Sequence, residues 1–153
     1  VYGIGHALVD IQYSIGYETV TKLGIDKGVM TMIDDERRIE LTGLLPQPVN
    51  SASGGSAANT MIAIAGFGGL SHYACLVGDD EWGAFYHRDL AKSGVGSTEM
   101  KSIPGPTGQC IILVTPDADR TMSTFLGASA NMGPDQLEPA VIAQVRRHVA
   151  EAI

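Results

Sequence analysis

The segment that most constrains this chain is Ser53-Gly54-Gly55-Ser56-Ala57-Ala58-Asn59-Thr60, a glycine pair set between a strand-like run and an apolar helical run. Adjacent glycines permit backbone angles and close approaches that a Cβ forbids. The helix that follows presents N–H groups without intrahelical partners, which suit oxygen atoms. Asn59, four residues after Gly55, offers a donor and an acceptor from the first turn. Two readings stay open on these residues alone: a turn that binds ligand oxygens, and a strand-to-helix turn packed tightly for steric reasons.

Better-known phosphate loops do not fit. A Walker loop needs Lys after its last glycine, and the chain has no Gly-Lys-Ser/Thr. Gly3-Ile4-Gly5 meets Leu8 where the dinucleotide fingerprint wants a third glycine.

Around the glycine pair, strand and helix patterns alternate, which predicts an α/β layer structure. Residues 1–5 and 7–15 read as a strand that turns at Gly5-His6 and continues, interrupted by Asp10. Residues 18–23 suit a helical turn, 28–33 a strand, and 35–44 a polar helix capped by Asp34 and ended by Pro46 and Pro48. Residues 56–67 are apolar nearly all round, predicting a helix buried against a sheet. A buried strand over 70–77 and a helix from Asp80 or Glu81 through Ser93 follow, with Gly94 as its stop. Pro116-Asp117-Ala118-Asp119-Arg120 is a turn between strands 108–115 and 121–126, and 134–147 reads as a final helix.

Charge and composition narrow the partners. A formal charge of −7 opposes nucleic-acid binding, which needs a basic face. No run of about 20 apolar residues is present to span a bilayer, and no signal peptide is visible, so no membrane partner and a cytoplasmic location are expected. Cys75 and Cys110 sit in apolar runs and read as buried thiols. His6, His72, His87 and His148 lack zinc-ligand spacing, so no protein-held metal is expected. A small molecule is the expected partner.

Gly54-Gly55-Ser56-Ala57-Ala58-Asn59 resembles the first characteristic motif of the PfkB family of ribokinase-like carbohydrate and nucleoside kinases. Four further features fall in that family's order: a strand leading to Gly5 and then Asp10; Gly78-Asp79-Asp80-Glu81-Trp82-Gly83; Lys92-Ser93-Gly94-Val95; and Pro106-Thr107-Gly108 before the strand pair near Arg120. The resemblance covers essentially residues 1–153 and implies the N-terminal part of a ribokinase-like three-layer α/β/α domain. A small antiparallel β lid would come from segments of about 11–44 and 107–127. It implies that Asp10 accepts hydrogen bonds from acceptor hydroxyls, with Gly54, Gly55 and Asn59 holding their neighbours. Arg120 would face the transferred phosphate. The alternatives that stay open are a turn or capping acid at Asp10 and a solvated turn residue at Arg120.

Some positions depart from the family. His6 stands where many nucleoside-kinase members carry Asn, and would donate one hydrogen bond from a bulkier ring. Ser56 stands where ribokinase-type members have Lys. Residues 28–34 and 114–122 look most like bacterial members called adenosine kinases, so a nucleoside is the first expectation and a sugar or sugar acid the second. The family's Gly-Ala-Gly-Asp run, with its anion hole and catalytic base, is absent from the sequence. The base and most of the site for ATP and Mg2+ are therefore expected beyond Ile153, this chain alone is expected to be inactive, and a sheet edge is expected to stay exposed. Pairing of two copies through the lid sheet is a further expectation. A ligand-binding module without catalysis and a purely structural α/β domain are the competing classes.

Overall fold

The computed structural model describes residues 1–96 and 101–144. Among the described residues nine strands occur, β1 (Tyr2–Ile4), β2 (Leu8–Ser14), β3 (Met30–Met32), β4 (Asn50–Gly54), β5 (His72–Ala74), β6 (Leu76–Gly78), β7 (Lys101–Ile103), β8 (Gly108–Val114) and β9 (Arg120–Phe125). They alternate with helices α1 (Tyr17–Lys22), α2 (Asp35–Leu44), α3 (Ser56–Gly66) and α4 (Glu81–Lys92). Residues 139–144 add a last helical stretch. The fold is α/β, as the alternation predicts.

Five strands form one sheet in the order β3-β9-β8-β2-β4. It is mixed where an antiparallel sheet was expected: β2–β4 and β8–β9 are antiparallel, but β2–β8 and β3–β9 are parallel. Side chains alternate across a strand, so β2 sends buried Val9, Ile11 and Tyr13 to one face and Asp10, Gln12 and Ser14 to the other. The apolar face meets Val20 of α1, Leu41 of α2 and Tyr86 and Leu90 of α4 in the main core. Burying a side chain such as Leu41 contributes about 2 kcal/mol.

The remaining strands pair in parallel, β1 with β5 and β6 with β7, and a bridge joins His72 to Gly96. β1 and β2 are thus not one continuing strand, because the chain leaves one sheet and enters another between them. The strand expected over 70–77 starts at His72 and breaks at Cys75. α3 is covered on one side only: Ala58 and Met61 are buried, whereas Ala63 is exposed and Phe67, just past its end, is 93% exposed. Its all-round apolar composition fixes a helix without fixing which side is covered.

The last helix also starts later than its sequence pattern suggests. Gly127–Asn131 and Pro134–Gln136 are single 3-10 turns, and helix begins at Pro139, a residue suited to a first turn. Residues 145–147 of the expected helix lie outside the described residues.

Candidate acceptor site

β2 and β4 run side by side with Leu8 opposite Gly54 and Asp10 opposite Ala52. This register sets the glycine next to the carboxylate, and a Cβ on Gly54 would overlap the Asp10 carboxyl group. Gly55 has φ +99°, a left-handed angle that disfavours other residues, and its Cβ would lie 2.6 Å from the His6 carbonyl oxygen. His6, Asp10, Gly54 and Gly55 are therefore gathered within one small region.

Buried hydroxyls hold this region from beneath. The Tyr73 hydroxyl donates to the His6 carbonyl at 3.1 Å, and the Tyr86 hydroxyl donates to the Gly54 carbonyl at 3.0 Å. Both tyrosines are almost wholly buried, and burial pushes both phenols well above their usual range. The His6 ring nitrogen Nδ1 lies 3.0 Å from the carbonyl oxygen of buried Ser129 and, protonated there, donates to it. That bond turns the imidazole toward the 127–131 turn. Neither the tyrosines nor Ser129 was singled out from the sequence, because their partners are backbone carbonyls, which leave no side-chain signature.

Asp10 is half-buried, and burial pushes its carboxyl above the usual range, partly offset by the charge of Arg120. The paired registers explain that coupling. Asp10 pairs with Cys110 and Ser14 with Val114 on β8, and Cys110 pairs with Thr124 and Val114 with Arg120 on β9. Asp10, Cys110 and Arg120 share one sheet face, and the Cys110 thiol is raised by burial while also feeling both charges. Met122 lies on that face too, beside Met30 and in line with Met32 of β3, which are 56% and 51% exposed. The methionines are further site candidates that the sequence left unmarked, since thioethers in a strand read as core. Asn59 stands exposed on the first turn of α3, its N–H donating to the Gly55 carbonyl.

The arrangement is a half-buried carboxylate beside a glycine pair, an arginine on the same face and an apolar floor between them. A charged acceptor forms stronger hydrogen bonds to hydroxyl groups than a neutral one does. Among the described residues, no group of three or more His, Cys, Asp or Glu could hold a metal ion. None of the described helices is long and apolar enough to cross a membrane.

The family described as pfkB family carbohydrate kinase matches residues 19–151. The chain belongs to this family. Its fold is similar to that of the adenosine kinase from Sinorhizobium meliloti, with 37% identity and a TM-score of 0.84 over 94% of this chain and 44% of that one. A probable sugar kinase from Rhizobium etli is similar at 34% identity and a TM-score of 0.82, over 90% of this chain and 42% of that one. Anopheles gambiae adenosine kinase, solved in complex with P1,P4-di(adenosine-5) tetraphosphate, shares the fold at 22% identity and a TM-score of 0.80, over 95% and 44%. The chain thus spans less than half the length of these kinases. No curated protein matches it.

Proposed function

We propose that this member of the pfkB family supplies the acceptor-binding part of an ATP-dependent kinase that phosphorylates the hydroxymethyl group of a nucleoside. The observation that carries this reading is the shared sheet face of Asp10, Arg120 and the methionines. Asp10 accepts hydrogen bonds from ribose hydroxyls, and Gly54 and Gly55 let the sugar approach the backbone. Asn59 and His6 flank the sugar. Arg120 faces the phosphate being transferred, where fixed positive charge stabilises the transition state. Met30, Met32 and Met122 form an adaptable floor for a flat base, since thioether sulfur packs well on aromatic rings.

The five-stranded sheet acts as the lid, excluding water from the transferring phosphoryl group. Two copies pairing through that sheet belong to the same proposal, as does a cytoplasmic location. ATP brings the phosphoryl group and Mg2+ neutralises its charge. Among the described residues no group of His, Cys, Asp and Glu could hold the magnesium ion, and the sequence has no Gly-Ala-Gly-Asp run; on this reading the chain by itself binds acceptor without turning it over.

The second reading, a sugar or sugar-acid acceptor, draws on the likeness to the probable sugar kinase from Rhizobium etli. Calorimetric titration separates the two. Adenosine is expected to bind, ribose and 2-keto-3-deoxygluconate to bind at least about tenfold more weakly, and Asp10→Ala to abolish binding. Binding of the sugar acid with none of any nucleoside overturns the nucleoside reading, and equal binding by Asp10→Ala overturns the site.

A further inference from the structure

Two motifs that the acceptor site leaves unused meet in the fold. Gly78-Asp79-Asp80-Glu81-Trp82-Gly83 runs from the end of β6 into α4, and Pro106-Thr107-Gly108 leads into β8. Asp80 Oδ1 caps α4 by accepting from the Gly83 N–H at 2.8 Å and also accepts from the Thr107 hydroxyl at 2.5 Å. Asp80 Oδ2 accepts from the Thr107 N–H at 2.9 Å. The Thr107 hydroxyl in turn accepts from the Gly78 N–H at 3.0 Å, and Thr107 is fully buried. Capping a helix needs only one of these bonds, so the other three hold Thr107.

Thr107 sits where the chain enters the five-stranded sheet. Its neighbour Gly108 pairs with Leu8, which pairs with Gly54. A Cβ on Gly108 would lie 2.6 Å from the Ala7 carbonyl oxygen and 2.7 Å from that of Leu126. The starts of β2 and β8 and the end of β9 therefore cross at one point, two residues from Asp10. Burial works against the charged form of Asp80, but the hydrogen bonds from Thr107 and Gly83 outweigh it and hold the carboxyl below its usual range. The carboxylate is therefore the species present at neutral pH.

We infer that Asp80, acting through Thr107, is a positioning residue that fastens this crossing to the start of α4 and so fixes Asp10 relative to Gly54. The functional half of the inference rests on the acceptor-site reading above; the mechanical half does not. Asp80→Asn keeps an oxygen for the cap and sets an amide NH2 against the Thr107 N–H, which separates fastening from capping. Thr107→Val removes the hydroxyl at nearly constant volume, and Thr107→Ser restores it.

Amide exchange on the unliganded chain is expected to speed up about tenfold or more in 8–14 and 108–114, relative to 56–66, in Asp80→Asn and Thr107→Val. Thr107→Ser is expected to stay within about twofold of the parent. Adenosine affinity is expected to fall about tenfold in the same two variants. Val141→Ala, a buried change on the last helix, is expected to lower the melting temperature with no effect on either readout. Should Thr107→Val not fold, Asp80→Asn carries the same measurements. Exchange that speeds uniformly along the chain, or unchanged affinity in a variant with loosened strands, overturns the inference. If the parent chain binds no nucleoside, the acceptor reading fails and the exchange pattern alone decides for or against Asp80.

Discussion

At the scale of single residues, Asp10 joins a stability cost to a binding role. Burial raises its pKa and Arg120 offsets part of the rise. A raised carboxyl pKa means that the fold disfavours the charge, so stability is gained as pH falls through the folded value. Binding has the opposite sign, because hydroxyl donors need the carboxylate. Adenosine affinity, followed calorimetrically from about pH 7 to about pH 4, is therefore expected to fall across a range above that of an ordinary Asp. In Asp10→Asn it is expected to be weak and flat with pH; an unchanged pH profile there would remove Asp10 from the site. Gly54 supplies the companion experiment. A methyl group there occupies the space of the Asp10 carboxyl, so Gly54→Ala is expected to abolish binding and to cost about 1–3 kcal/mol in urea unfolding, as overpacking does.

Among the elements, α2 shows what local chemistry settles. Asp34 accepts from the Arg37 N–H at 2.9 Å, satisfying a donor that the helix itself leaves free. Asp34→Ala is expected to cost about 1 kcal/mol in urea unfolding while leaving acceptor affinity unchanged, since its side chain bonds the N–H of its own helix. That cap, the β8–β9 turn and the start of α4 were legible because each signal lies within four or five residues. β7 was not: three residues, two of them exposed, carry no alternation to detect. α3 carried its helical pattern but not its covered side, which depends on where β1, β4 and β5 lie. The glycine pair and Asp10 were both legible as candidates, yet their contact was not. It is made by the antiparallel pairing of β2 with β4 across α1, β3 and α2, and nothing near either residue encodes that register. The same holds for Asp80 and Thr107, whose motifs were visible separately.

For the molecule as a whole, the question is how the parts on either side of the site are held in one geometry. The candidate ligand groups lie on the five-stranded sheet, just before β2 and at the start of α3, whereas the tyrosines beneath them come from β5 and α4. Tyr73 reaches the His6 carbonyl and Tyr86 the Gly54 carbonyl, so two hydroxyls connect the chain before β2 with the end of β4. The two phenols are close enough for each to influence the other's ionisation. Tyr73→Phe and Tyr86→Phe each leave a carbonyl in a buried setting without its phenol donor, which is expected to cost about 1–3 kcal/mol of stability. Because the two hydroxyls brace the same pair of segments, removing the second after the first is expected to cost less, giving a coupling of about 0.5 kcal/mol or more in a double-mutant cycle. Acceptor affinity provides the decisive comparison. If the tyrosines only stabilise the core, both single variants bind adenosine like the parent once folded. If they set the spacing between His6 and Gly54, each variant loses affinity and the double variant loses little more, because the spacing is released as soon as one end of the pair lets go.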